Sequence, residues 1–167
     1  MVSVRLRGVT ANDLPHFFEH QCDLAACRMA AFTAREPSNR QAFDAHWARI
    51  RADPGVVNRT VMVDADVAGH VSSFVQDGER EVTYWIARAR WGQGIASEAL
   101  RQFLCEQPSR PLRARAARDN AASIRVLMRC GFVVCGEGRG FAAARGEKID
   151  ELVFWLDESA QFEVILK

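Results

Sequence analysis

The stretch WIARARWGQGIASEAL (residues 85–100) runs from a strand-like apolar segment through a short basic patch into Gly92-Gln93-Gly94, and then opens an amphipathic helix. A helix that begins on glycine exposes its first backbone N–H groups together with the positive end of its dipole. Those of residues 92 to 97 would form a cradle for a pyrophosphate. Glycine suits the position because phosphate oxygens must approach the backbone closely and because the turn itself is tight. The same two glycines serve in any sharp strand-to-helix turn, so a lone Gly-x-Gly does not separate the two uses. Two nucleotide-binding patterns are excluded. A dinucleotide fold needs a third glycine where Ser97 stands and follows the first strand, whereas this strand is the fourth. A P-loop needs Gly-Lys-Ser/Thr, which is absent.

Upstream of this stretch, VSVRLRGV alternates with period two and predicts a strand that stops at Thr10. TANDLPHFFEHQ then predicts a short helix, with Thr10 or Asn12 as N-cap and Pro15 in its first turn. Cys22 to Arg35 is ambiguous, and SNRQAFDAHWARIRAD carries Phe43, Trp47 and Ile50 at helical spacing before Pro54-Gly55. VVNRTVMVD, VAGHVSSFVQD and REVTYWIA form an antiparallel meander, with a hairpin signal at Asp77-Gly78. Downstream, Ile95, Ala99, Phe103 and Leu104 line one face of a helix that ends before Pro108. PLRARAA reads as a strand. Asn120 caps a helix whose Ile124, Leu127 and Met128 face inward, and Gly131 terminates it. FVVCG and DELVFWL supply two last strands. The expected class is α+β: one domain over residues 1–167, with a mixed, mostly antiparallel twisted sheet of about seven strands and about four helices.

Composition narrows the function classes. The 22 basic and 21 acidic residues leave a net charge of +1, which gives no reason to expect nucleic-acid binding or membrane adsorption. Five cysteines, Cys22, Cys27, Cys105, Cys130 and Cys135, form an odd set without a Cys-x-x-Cys pair. That argues against a disulfide framework and against a metal site. The opening MVSVRLRGVT has no apolar h-region, and LVFWL (152–156) is too short to span a bilayer. The expectation is a soluble cytoplasmic protein.

WGQGIA (91–96) together with DNAASIRVLMRCGF (119–132) resembles the GNAT acetyltransferase superfamily, and within it the branch of the RimJ and RimL ribosomal-protein acetyltransferases. WGQGIA is similar to the family's Q/R-x-x-G-x-G/A acetyl-CoA motif, with Trp91 at its leading position. DNAASIRVLMRCGF is similar to the family's Asn-x-x-Ser helix leading to Gly-Phe. Two motifs in the right order are far more specific than either alone, and the resemblance covers essentially the whole chain.

The resemblance implies that strands four and five splay apart to leave a slot for pantetheine. Backbone groups of Ile86 and Arg88 would pair with the pantetheine arm. The amides of Trp91, Gly92, Gln93, Gly94, Ile95, Ala96 and Ser97 would hold the pyrophosphate, with Asn120 on the arm and Ser123 near the thiol. Asn120 and Ser123 are equally a helix N-cap and its third residue, and both roles can hold at once. Arg90, Arg101 and Arg125 are candidates for the 3′-phosphate.

The implied reaction is N-acetylation by direct attack of a primary amine on acetyl-CoA, with no covalent enzyme intermediate and no metal. A backbone N–H of the fourth strand would polarise the thioester carbonyl. An α-amine with pKa near 8 costs only about 1 kcal/mol to deprotonate at neutral pH, against roughly 4 to 5 for a lysine side chain. The expected acceptor is therefore an α-amino group of a protein, peptide or amino-acid-like metabolite. Candidate carboxylates for relaying its proton are Glu81 and Asp64, with His70 as another base, and Tyr84 as donor to the leaving thiolate. The tyrosine that many relatives carry in the following helix is missing from IRVLMRC (124–130), which leaves Ser123 as its substitute. Acceptor choice is expected from the segment before residue 55 and from the loop GEGRGFAAARGEK (136–148). RMAAFTARE and AHWARIR disfavour a strongly basic acceptor. The alternatives are a non-catalytic acyl-CoA-binding domain and an acyltransferase for longer chains. The apolar FEVIL in the tail offers a surface for a homodimer.

Overall fold

The computed structural model describes residues 2–158. Seven strands form one sheet: β1 (Val4–Gly8), β2 (Val57–Val63), β3 (Asp66–Gln76), β4 (Glu79–Ile86), β5 (Leu112–Ala117), β6 (Val133–Ala142) and β7 (Glu147–Leu156), in the order β1-β2-β3-β4-β5-β7-β6. Every neighbouring pair is antiparallel except β4 and β5. Five α-helices flank it: α1 (Leu14–Gln21), α2 (Leu24–Ala30), α3 (Arg40–Ala52), α4 (Ile95–Glu106) and α5 (Ala121–Arg129).

Local chemistry sets the element boundaries. Asp13 and Thr10 form a reciprocal capping box around a 3-10 turn (Ala11–Asp13) that leads into α1. Asp13 also accepts from Arg7 at 2.7 and 2.8 Å and from Thr60 Oγ1 at 2.7 Å, which ties the start of α1 to β1 and β2. The side chains of Asp23, Asn39 and Asn120 accept backbone N–H groups at the starts of α2, α3 and α5. The β3–β4 hairpin turns through Asp77 and Gly78 at φ 52° and 79°, as the Asp-Gly pair predicts. At Gly69, opposite Ile86, a Cβ would lie 1.9 Å from the Trp85 carbonyl oxygen, so only glycine lets β3 and β4 approach there.

Alternation along the strands helps divide the core into three clusters. Val61, Val63, Val71, Val82 and Ile86 meet Ile95, Leu100, Phe103 and Leu104 of α4 and Leu127 of α5 on one face. Phe17, Phe43 and Trp47, from α1 and α3, form a second cluster. A third, of Ala31, Ala117 and Ala142, joins the end of α2 to β5 and β6.

Three expectations are corrected. The ambiguous segment after Cys22 contains α2, so there are five α-helices among the described residues rather than about four, with three of them between β1 and β2. Met128 is 59% exposed, because α5 turns Leu127 and Cys130 inward instead. Residues 136–148 are not a loop: β6 and β7 pair almost to their tips, leaving a turn over residues 143–146. The FEVIL stretch lies outside the described residues. Among the described residues no helix is long and apolar enough to cross a membrane.

Candidate active site

β4 and β5 touch at a single register position, Glu81 opposite Arg113, and then diverge. The gap opens into a cleft of about 690 Å³ that runs from the α4 N-terminus to α2 and β7. Ala87 N–H donates to Ala68 O on β3 at 2.8 Å, so strand alternation turns the backbone groups of Ile86 towards the gap. The Ile86 carbonyl also accepts from Trp91 Nε1 at 2.9 Å, which fixes the indole over the end of β4. Arg88 follows the end of β4 and is not among the residues lining the cleft. It lies in a 3-10 turn (Arg88–Arg90), its carbonyl accepts from Trp91 N–H at 3.1 Å, and its guanidinium pairs with Asp23 at 2.7 Å.

At the glycine turn, Gly92 and Gly94 have φ of 74° and 76°. A Cβ at either would meet no atom within 4 Å, so the left-handed backbone requires glycine and crowding does not. Gly94 is the N-cap of α4 and supplies no side-chain cap, which leaves the first amides of a 12-residue helix without a side-chain partner at the cleft mouth. Gly92, Gly94, Ile95, Ala96 and Ser97 line the cleft, while Gln93 does not. This arrangement fits a diphosphate. Of the three candidate cations, Arg90 and Arg125 line the cleft; Arg90 is paired with Asp66 and Arg101 with Glu98, whereas Arg125 has no ionic partner among the described residues. Arg129, one turn further along α5, lines it too. The i, i+4 spacing of these two arginines was the signal that could have found it.

Across the gap, Asn120 Oδ1 accepts from Ser123 N–H at 3.1 Å, which sets the first turn of α5. The Ser123 hydroxyl lies 2.7 Å from the Tyr84 hydroxyl, joining β4 to α5. Burial pushes the Tyr84 phenol up to about 12, with the Ser123 hydrogen bond pulling the other way. The structure thus brings two sequence-predicted residues, 39 positions apart, into one pair.

Glu81 lines the other half of the cleft but is fully engaged. Its Oε2 accepts from Arg113 at 2.7 and 3.0 Å, and its Oε1 from Arg115 at 3.2 Å. Arg115 also reaches Glu151 Oε1 on β7 at 3.1 Å. Arg115 and Glu151 line the cleft, and sequence analysis named neither. His70 is buried against Phe17 and Trp47, with ring centroids at 4.8 and 5.1 Å, and burial lowers it to about 3. It is a packed neutral ring outside the cleft. Asp64 sits in the β2–β3 turn at φ 54°, also outside it. Cys130 is buried at α5, where burial raises its thiol to about 11, so no reactive thiolate forms there. Among the described residues no group of three or more His, Cys, Asp or Glu could hold a metal ion.

Comparison with known proteins agrees with this geometry. Residues 3–133 match the family described as acetyltransferase (GNAT) domain. The chain is 32% identical over 117 residues to the L-amino acid N-acetyltransferase AaaT of Escherichia coli (strain K12), covering 64% of this chain and 72% of that protein. RimJ of Mycobacterium smegmatis, solved with CoA-disulfide, shares the fold with a TM-score of 0.78 at 22% identity, over 95% of this chain and 84% of that one. The spermidine N-acetyltransferase of Vibrio cholerae, solved with CoA and spermine, does so with a TM-score of 0.74 at 15% identity, over 93% and 96%. The family match spans β1 to β5 with the splayed strand pair, the glycine-opened helix and α5, and the chain belongs to the GNAT family of acetyl-CoA-dependent N-acetyltransferases.

Proposed function

We propose that the protein transfers the acetyl group of acetyl-CoA to the α-amino group of an amino-acid-like acceptor, by direct attack. The glycine-opened N-terminus of α4, set at the mouth of the β4/β5 gap, is the observation that carries this reading. The amides of Gly94 to Ser97 and the dipole of α4 hold the diphosphate, and Arg125 is the cation for the 3′-phosphate. Asn120 and the edge of β4 hold the pantetheine arm. Acetyl-CoA supplies the activated acyl group as its thioester.

Tyr84 and Ser123 serve the thiolate. With Tyr84 at about 12, full proton transfer to a thiolate of ordinary pKa about 8.5 is uphill by roughly 5 kcal/mol. Tyr84 therefore remains protonated and donates hydrogen bonds, directly or through Ser123. Both oxygens of Glu81 already accept hydrogen bonds from two arginines. Its part is to order water beside the incoming amine: an α-amine near 8, as at a peptide N-terminus, needs only about 1 kcal/mol to lose its proton at pH 7, and the more basic amine of a free amino acid roughly 3 to 4. The name of the Escherichia coli relative supports an amino acid as acceptor. The five free thiols suit a reducing cytoplasm.

The test is calorimetric titration with acetyl-CoA, CoA and dephospho-CoA, followed by thiol release with a panel of amines. Micromolar binding of acetyl-CoA, weakened without the 3′-phosphate, is expected. Absence of binding to all three refutes the cradle, and binding without turnover of any amine favours the non-catalytic alternative.

A further inference from the structure

We propose that the acceptor is a free, zwitterionic α-amino acid with an apolar side chain, read by Arg115 and Glu151 on the α2 side of the gap. The proposal rests on the acetyltransferase reading and narrows its acceptor.

Four charges, two of them buried, form the floor of that half. Glu81 and Glu151 are 6% and 8% exposed, and Arg113 and Arg115 face them. Two carboxylates against two guanidinium groups leave the floor neutral. Glu79, which also pairs with Arg113, has a side chain 44% exposed and is screened by water. A neutral but strongly dipolar floor matches a zwitterion and gives a polycation no net attraction.

The two arginines are held differently. Arg113 makes three bonds to carboxylates, at 2.5, 2.7 and 3.0 Å, with a side chain only 13% exposed. Arg115 makes bonds of 3.1 and 3.2 Å, with its side chain 33% exposed. The latter distances are long for charge-assisted bonds, which run at about 2.7 to 2.9 Å. Among the described residues no group engages Arg115 Nη2, and only one oxygen of Glu151 is engaged. Arg115 can therefore take a carboxylate without surrendering its hold on the sheet. The free Glu151 oxygen can accept a hydrogen bond from the acceptor's amino group, which attacks in its neutral form.

An independent feature shapes the same place. A Cβ on Gly138 of β6 would lie 3.0 Å from Glu151 Oε1 and 3.3 Å from its Cγ, and one on Gly140 would lie 3.3 Å from Phe32 Cε1. Glycine at these alternate positions makes room for one charged and one aromatic wall of the cleft. Met29, Phe32 and Phe74 line that side, which suits an apolar side chain on the acceptor. An amide or a peptide lacks the α-carboxylate at this position and leaves Arg115 unmatched.

The proposal is tested on the whole protein with L-leucine and L-leucinamide, by calorimetry in the presence of CoA and by initial rates of thiol release from acetyl-CoA. L-Leucine is expected to bind and react with a kcat/KM at least about tenfold above L-leucinamide. Arg115→Met should abolish that preference through KM while the Kd for acetyl-CoA stays within about twofold, and Arg115→Lys should restore part of it. Equal use of leucine and leucinamide by the wild type overturns the acceptor assignment and leaves the acetyltransferase reading intact. Failure of acetyl-CoA to bind overturns both. The substrate pair decides the question on the wild-type protein alone, so a variant that fails to fold does not leave it open.

Discussion

Gly78 and Gly94 allow the cradle to be tested against an internal control. Both have a left-handed backbone, φ 79° and 76°, and at both a Cβ would meet nothing within 4 Å. Alanine therefore brings the same local strain to each, on the order of 1–2 kcal/mol, with no clash to confuse the comparison. For a chain of this length that corresponds to a Tm loss of about 2–8 °C. Gly78 is in the β3–β4 hairpin, outside the cleft lining, and Gly78→Ala should show that loss and nothing else. Gly94→Ala can relieve its strain only by turning the N-cap of α4, which redirects amides that face the cleft. Loss of one hydrogen bond to a charged group costs about 1.5–3 kcal/mol. The Kd for acetyl-CoA should therefore rise roughly 10- to 150-fold in Gly94→Ala and stay unchanged in Gly78→Ala. Calorimetry gives both constants, and melts with and without acetyl-CoA give the strain separately. Equal affinities in the two variants would refute the cradle, since the turn would then be a turn and nothing more.

Tyr84→Phe removes the 2.7 Å contact with Ser123 and should lower kcat roughly tenfold, the worth of one hydrogen bond. Ser123→Ala should do the same, and the double variant should be little worse, as rates at saturating acetyl-CoA will show. Since burial holds Tyr84 near 12, kcat/KM should rise with pH as the acceptor amine deprotonates and show no descending limb below about pH 10. Asp13→Asn breaks a buried carboxylate network and should cost about 3–5 kcal/mol by urea denaturation. Burial alone would raise the Asp13 carboxyl, but hydrogen bonds from Arg7, Thr10 N–H and Thr60 outweigh it and hold it well below its usual range. A depressed native pKa means that the unfolded state takes up the proton first. The stability from Asp13 is therefore complete above about pH 4 and is lost as pH falls through the lower native value, which acid titration of wild type against Asp13→Asn will reveal. Gly69→Ala places a methyl group against a backbone carbonyl that cannot yield, and should destabilise by at least about 3 kcal/mol or prevent folding.

The parts of the molecule that were legible in the sequence are those written in local chemistry. Asp77-Gly78, Gly92 and Gly94 each announce a backbone angle, and Asn120 announces a helix start, so the hairpin, the α4 mouth and α5 followed directly. α2 was hidden because LAACRMA has no clear apolar stripe and is set by the Asp23 cap and by packing of its far end. The length of the β6–β7 hairpin was hidden by its glycines, which lower strand propensity but are needed where Glu151 and Phe32 crowd the sheet. Met128 was misplaced because helical spacing alone does not fix the angle at which a nine-residue helix meets the sheet.

The cofactor half and the acceptor half differ in legibility for the same reason that they differ in construction. Alternation along β4 sends Val82, Tyr84 and Ile86 towards α4 and α5, and sends Glu81, Thr83 and Trp85 to the other face. On the α4 side, the proposed recognition is by backbone amides of one contiguous segment, which a short motif can encode. On the opposite side, the cleft is lined by side chains from α2, β3, β5 and β7, which meet only because the sheet order places β7 beside β5. A substitution at Arg115 or Glu151 changes what the acceptor face presents without moving a backbone amide of the cofactor face. The fold can therefore vary its acceptor while the glycine turn stays constant, so the acceptor must be established from the charges in the floor of the cleft and by direct substrate competition.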